Sequence, residues 1–262
     1  MHHEPPAPDL SRSALPERLA AAEHVAVLTG AGISAESGVP TFRDPGGLWQ
    51  RFRPEELANV EAFLRNPVLV QGWYAHRRRI VQETEPNAGH HALVALERRV
   101  PDFTLVTQNV DDLHRRAGSR RVVELHGNLT RSYCIDCAAP AAEADLDAAH
   151  DAPVRCARCG GYIRPDVVWF GEQLPADALE AAYAAAERAD VFLTIGTSAV
   201  VYPAAHLPVH AGASGAYVAE INVEPSAVAA RVDEVLLGRA GEVLPALLRA
   251  VEACTPRTTP DA

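Results

Sequence analysis

The chain has 262 residues, 48% of them apolar and 22% charged, and a formal net charge of -10. That composition suits a globular protein with one large core, or a core carrying a small inserted module, and excludes a disordered chain. The acidic balance offers no broad basic surface, which disfavours direct binding to nucleic acid.

No apolar run approaches the roughly 20 residues of a membrane-spanning helix, and the opening Met1 to Pro8 lacks the layout of a signal peptide. The expectation is a cytoplasmic protein that does not bind membranes. Proteins or small molecules are the expected partners. The sequence leaves the oligomeric state open, with a monomer as the simplest assumption.

In chain order, a helical pattern over Leu15–Glu23 precedes a β-rich apolar run, Val25–Leu28. Further runs follow at Thr104–Val106, Val122–Leu125, Val191–Ile195 and Ala216–Ile221, with a weaker one at Val235–Leu237. Short apolar runs bounded by glycine or polar residues suit parallel strands buried on both faces. A second helical pattern, Ala176–Arg188, precedes the fourth run. The alternation predicts an α/β fold, a Rossmann-like doubly wound parallel sheet.

Two stretches break this rhythm. Residues 46–100 carry three helical candidates, one opening at Asn66-Pro67, an N-cap followed by proline at the first helical position. Residues 131–161 carry two cysteine pairs around a middle rich in alanine and aspartate. The expected organisation is a Rossmann-like domain from 10–45, 101–130 and 162–252, and a smaller domain made of the 46–100 helical insertion and the 131–161 zinc-binding module. Residues 1–9 and 253–262 are expected to be flexible tails.

The first strand runs into Gly30-Ala31-Gly32-Ile33-Ser34-Ala35, a Gly-x-Gly-x-x-Ala turn. Glycines there allow backbone N–H groups to approach a pyrophosphate at a helix N-terminus. Taken alone the motif fits a ligand-free turn equally well. The acidic residue usual about 20 positions later in dehydrogenases is not evident, so any NAD is held differently here.

Five cysteines are present, and four form Cys134-x2-Cys137 and Cys156-x2-Cys159. This spacing fits a structural zinc site, in which four thiolates leave no open position for catalytic water. A redox-active dithiol is the competing reading of a single pair, and the second pair weighs against it.

Gln108, Asn109 and Asp111 follow one strand and His126 another, placing all four at carboxyl ends of parallel strands, where ligands of open α/β sheets collect. A histidine near neutral pH is a natural general base. By pattern alone His126 reads more readily as a surface or hydrogen-bonded structural histidine. Tyr74 and Arg77, three apart on a predicted helix, share a face and offer a phenol and a guanidinium to one carboxylate. By pattern alone they read as a packed tyrosine beside a solvated basic face.

The unbroken string Gly30 to Arg43, with Thr107–Asp111, Glu124–Gly127, the paired cysteines, Val167–Glu172, Gly196–Ser198 and Ile221–Glu224 in that order, closely resembles the sirtuin family. The resemblance covers about residues 15 to 250. It implies an NAD-dependent protein-lysine deacylase with one structural zinc, acting on acylated lysine peptides or proteins. NAD is consumed: the acyl-lysine amide oxygen attacks C1′ of the nicotinamide ribose, nicotinamide leaves, and the acyl group ends as 2′-O-acyl-ADP-ribose.

The resemblance implies His126 as general base, with Asn109 and Asp111 orienting the ribose and nicotinamide. It implies NAD contacts from Gly30, Ala31, Gly32, Ser34, Thr41, Phe42, Arg43, Gln108, Gly196, Thr197, Ser198, Asn222, Glu224 and Ala240. Val168, Phe170, Gly171 and Glu172 would form the edge against which the substrate peptide pairs. Tyr74-x-x-Arg77 resembles the motif of sirtuins that remove succinyl and malonyl groups. Pro45 departs from that subgroup, which commonly has a small alanine there, so acetyl removal is expected alongside. The rivals are mono-ADP-ribosyl transfer and a non-catalytic NAD-binding sensor or scaffold.

Overall fold

A computed structural model of the chain describes residues 10–41, 57–141 and 152–254. Among these, six strands form one parallel sheet: β1 (His24–Thr29), β2 (Asp102–Thr107), β3 (Val122–Glu124), β6 (Val191–Ile195), β7 (Tyr217–Asn222) and β8 (Glu234–Leu237), in the order β3-β2-β1-β6-β7-β8. Five of them lie within two residues of the expected runs, and β6 matches its run end to end. The reason is local. β1 is buried from Val25 through Thr29 and β6 along its whole length, so an unbroken apolar run is the direct imprint of a strand covered on both faces.

The covering helices complete the doubly wound arrangement. One face of the sheet packs against α1 (Leu15–Ala21), α5 (Ala88–Arg99) and the last helix, α9 (Ala240–Cys254), with Leu19, Leu93, Leu96, Leu244 and Leu247 buried among Val27, Leu105 and Leu193. The other face packs against α7 (Ala176–Arg188) and α8 (Leu207–Ala213) through Ala182, Ala186, Leu207 and Ala211. Alanines on α7 let that helix lie close to Ala26 and Phe192. The last helix continues to Cys254, past the expected boundary at 252.

A smaller body sits beside the sheet. It consists of α3 (Val60–Arg65), α4 (Pro67–Glu83) and an antiparallel pair, β4 (Gly127–Cys134) and β5 (Ile163–Val167). Asn66 caps α4 as expected, its side chain accepting from the Leu69 N–H at 3.1 Å, with Pro67 at the first position. Phe63, Trp73, Tyr74, Leu129 and Trp169 form this body's own apolar core. No helix among the described residues is long and apolar enough to cross a membrane.

Under the sheet edge lie two buried histidines, His90 on α5 and His114 on α6 (Leu113–Ala117), with ring centroids 4.9 Å apart. The Nε2 of His114 lies 2.9 Å from the Thr29 hydroxyl, which itself donates to Thr107. Thr29 therefore accepts from His114. Burial holds both rings neutral, pulling His90 from 6.5 down to about 4 and His114 well below 6.5. A depressed histidine leaves stability intact above pH 6.5, and acid removes it as the unfolded chain gains protons the native one refuses.

For His90 the full difference is on the order of 3 kcal/mol. Unfolding free energy should therefore fall steadily between pH 6.5 and 5, above the carboxylate range. Urea titrations across that window check it, and a flat profile would contradict the neutral pair.

Candidate functional site

β1 and β6 are neighbours from which the strand order runs in opposite directions, so a crevice opens at their carboxyl ends. The Gly30 turn leaves β1 there and the Gly196 turn leaves β6. The two turns interlock through their backbones, with Gly32 N–H donating to Gly196 C=O at 2.8 Å. A Cβ on Gly30 would meet Gly196 O at 2.7 Å, one on Gly32 would meet Gly196 Cα at 2.7 Å, and one on Gly196 would meet Ile33 N at 2.5 Å. Glycine at 30, 32 and 196 is thus a packing requirement before it is a ligand requirement.

Asn109 lies at the floor of the crevice. Its side-chain amide donates to Gly30 C=O at 3.0 Å and to the Ser34 hydroxyl at 3.2 Å, and its backbone N–H donates to Thr107 at 3.0 Å. Ser34 also bonds Asp111, whose carboxylate accepts from Leu113 N–H at 3.0 Å. Burial pushes the Asp111 carboxyl above its ordinary range, with Ser34 and Arg77 opposing. Gln108 reaches across to the Thr197 hydroxyl at 3.1 Å. Asn109, Ser34 and Asp111 therefore form one network where the turns after β1 and β2 meet, and the Gln108–Thr197 bond ties β2 to the turn after β6.

His126 leaves β3 and faces the same network. Its Nδ1 lies 3.0 Å from the Gln108 carbonyl, an acceptor only. Nδ1 must carry the proton, so Nε2 is left as the basic nitrogen. Burial holds the imidazole below the ordinary histidine range, with the Gln108 bond partly opposing. At neutral pH the ring is a neutral base.

On the far side of the Gly196 turn is a cavity of about 250 Å³ whose walls include Gly32, Gly196, Asn222 and Ala240. Asn222 is fixed by donating to Thr197 C=O at 3.0 Å. Glu36 and Arg239 also line this cavity and were not singled out from the sequence. Glu36 accepts from Gly241 N–H at 2.8 Å, tying the Gly30 turn to the start of α9. Ala31 and Ser198 lie on the same turns and Thr41 further along the chain after the first, all partly or fully exposed, and Glu224 lies exposed just past β7. Phe42, Arg43 and Pro45 lie outside the described residues. A larger groove of about 500 Å³, along Thr130–Tyr133 and Pro140, contains none of these groups.

The segment after β5 returns to the sheet past His126, with Val168 N–H donating to His126 C=O at 3.0 Å. Phe170 is half exposed, and Gly171 takes the left-handed conformation at φ 87°. Glu172, at the end of the expected peptide-pairing edge, has both oxygens held by Arg164 and also accepts from Trp169 N–H at 2.8 Å. Its carboxylate organises the segment.

Tyr74 and Arg77 share one face of α4, the guanidinium 5.6 Å from the phenol ring and 4.7 Å from the Trp73 ring. Burial raises the Tyr74 hydroxyl above its ordinary range, keeping it neutral. Burial lowers Arg77, and Tyr74 and Asp111 oppose that shift. The Arg77 guanidinium is thus within electrostatic reach of Asp111.

The four paired cysteines converge. Cys134 and Cys159 sulfurs are 3.4 Å apart, Cys137 and Cys156 3.7 Å, and all four lie within 4.8 Å of one another. A tetrahedral zinc with Zn–S near 2.3 Å spaces its sulfurs by about 3.8 Å, so the donor set fits such an ion with no position left for substrate. A Cβ on Gly161 would meet the Cys134 sulfur at 2.9 Å, which keeps that position a glycine.

Gln71 on α4 reaches this module, donating to Ile163 C=O at 2.7 Å and accepting from Val154 N–H at 2.8 Å. Removing the metal should therefore disturb the Tyr74 and Arg77 helix as well as the cysteine loops. Chelation is expected to abolish activity and raise protease cleavage near 152–162, and activity should return with zinc. Full activity in metal-free protein would contradict a structural ion.

A Sir2 family profile matches residues 30–203. An NAD-dependent protein deacylase 2 from Pyrobaculum aerophilum is 53% identical over 235 residues, covering 89% of this chain and 93% of the relative. A mutant Sir2 homologue in complex with 2′-O-acetyl ADP-ribose superposes with a TM-score of 0.88 at 45% identity, covering 94% of this chain and 99% of that one. A Sir2 complex with a p53 peptide and NAD+ gives 0.83 at 30% identity, covering 92% and 98%. The chain belongs to the Sir2 family, the family that its sirtuin-like motifs pointed to.

Proposed function

We propose that this protein is an NAD-dependent protein-lysine deacylase that transfers acetyl, succinyl and malonyl groups from lysine to ADP-ribose. The observation that carries the reading is His126, with Nδ1 bound to the Gln108 carbonyl, one residue before Asn109, and Nε2 left basic. In this reading Asn109 and Asp111 orient the nicotinamide ribose. His126 Nε2 accepts a proton from a ribose hydroxyl as the acyl group moves. Gly30, Gly32 and Gly196 give the backbone access a pyrophosphate needs, and the cavity at Asn222 and Ala240 takes the adenosine. The segment from Val168 to Gly171 lines up the acyl-lysine peptide.

A preference for acidic acyl groups is the finer part. Its support is the pairing of Tyr74 with Arg77 within electrostatic reach of Asp111, since a neutral phenol and a guanidinium together match one carboxylate. Zinc held by Cys134, Cys137, Cys156 and Cys159 supplies a cross-link and takes no part in the chemistry. Four free thiols at metal distance fit a reducing compartment, which supports action in the cytoplasm.

Incubation with NAD and matched acetyl- and succinyl-lysine peptides tests the reading. Nicotinamide release that requires the acyl peptide, with acyl-ADP-ribose detected by mass spectrometry, supports it. Label appearing on protein side chains instead would favour ADP-ribosyl transfer.

A further inference from the structure

Trp169 lies in the segment after β5, and its indole reaches across to α4. Its indole Nε1 is 2.9 Å from the Tyr74 hydroxyl oxygen. An indole N–H donates and never accepts, so the phenol oxygen is the acceptor of that bond. The hydroxyl hydrogen then points away from Trp169 and is available only as a donor to some other group.

The indole itself has little freedom. Trp169 is 2% exposed, and its ring packs 5.1 Å from Phe63. The Arg164 guanidinium stacks 3.7 Å from the indole centre, a cation–π contact in a largely desolvated setting. Arg164 is held in turn by both oxygens of Glu172, whose carboxylate also takes the Trp169 backbone N–H at 2.8 Å. Backbone, ring face and ring nitrogen of one residue are thus all engaged.

We propose that Trp169 is a positioning residue for acyl specificity: by donating to the Tyr74 oxygen it turns the phenol hydrogen toward the acyl tail, where Tyr74 and Arg77 together donate to a carboxylate. The inference rests on the acidic-acyl reading of Tyr74 and Arg77. An acetyl group has no carboxylate to receive that hydrogen. The consequence falls on the ratio of succinyl to acetyl turnover, since both substrates use the same general base.

Trp169→Phe keeps the aromatic ring and deletes the N–H. The measurement is kcat/KM for succinyl- and acetyl-lysine versions of one peptide, in wild type, Trp169→Phe, Tyr74→Phe and the double variant. Comparing two substrates on the same sample cancels any loss of folded protein. Trp169→Phe should lower the succinyl-to-acetyl ratio about five- to tenfold, as expected for weakening one hydrogen bond to a charged group. In the Tyr74→Phe background it should lower the ratio no further, because its effect passes through that hydroxyl.

A ratio lowered by Tyr74→Phe and untouched by Trp169→Phe would overturn the role of Trp169 alone. Additive losses would likewise overturn it, showing an effect that bypasses Tyr74. A ratio unchanged in both single variants would remove the acidic-acyl reading and this inference together.

Discussion

Replacing His126 by alanine should lower kcat for NAD-dependent deacylation by about 10²- to 10⁴-fold, the usual contribution of a positioned general base. NAD affinity should change little, because the crevice is built by the Gly30 and Gly196 turns and by Asn109, which hold one another independently of the imidazole. The geometry explains the size of the effect. With Nδ1 committed to the Gln108 carbonyl, Nε2 has no role in holding the fold and is the nitrogen free to take a proton. Because burial lowers the basicity of the ring, the acid limb of the wild-type kcat/KM profile should lie below pH 6.5. Isothermal titration of NAD with parallel kinetics checks both halves. Retained turnover, or an NAD affinity that falls in step with kcat, would remove the proposed role.

The second large effect is on substrate choice. Arg77→Met should lower kcat/KM for a succinyl-lysine peptide by about 10²-fold, since a charge-assisted bond to a buried carboxylate is worth roughly 1.5–3 kcal/mol. Methionine keeps most of the chain length and the packing against Trp73. Acetyl removal should fall far less. Some loss is expected, because Arg77 faces Asp111, and deleting the cation lets burial raise that carboxyl further. Kinetics with the two peptides decide the matter. Equal losses for both substrates would show that Arg77 supports the site generally and reads no acyl charge.

Much of the large domain was legible because its cause is local. A strand buried on both faces leaves an apolar run, and a helix opened by Asn66-Pro67 announces its own first turn. The antiparallel pair β4 and β5 was not legible. Its strands, with Asn128, Thr130, Arg131 and Ser132 on one side and Arg164, Pro165 and Asp166 on the other, are polar, and their register shifts between Asn128 and Ser132. Neither an apolar run nor clean alternation marks them. They are specified by the core they cover and by the cysteines at their ends.

The candidate site divides in the same way. Glycines 30, 32 and 196, Asn109, Asp111 and His126 stand in strings whose resemblance to a family is long and specific, and they meet at one crevice. Glu36 and Arg239 meet only because the start of α9 folds against the first turn, a contact between distant parts of the chain that no local pattern carries. The motif places Glu172 in the segment expected to pair with a peptide through its backbone, and only the folded structure shows its carboxylate held by Arg164 and the Trp169 backbone. Trp169 lies inside the Val167–Glu172 motif, yet only the distance to Tyr74 reveals what its nitrogen does.

Transfer of an acyl group from lysine to ADP-ribose at the crevice between β1 and β6 has a fixed stoichiometry, which a single turnover measures with enzyme in excess of a succinyl-lysine peptide and saturating NAD. One nicotinamide, one free lysine and one succinyl-ADP-ribose should appear for each peptide consumed. Nicotinamide release with the acyl-lysine intact, and ADP-ribose found free or on a protein side chain, would contradict it.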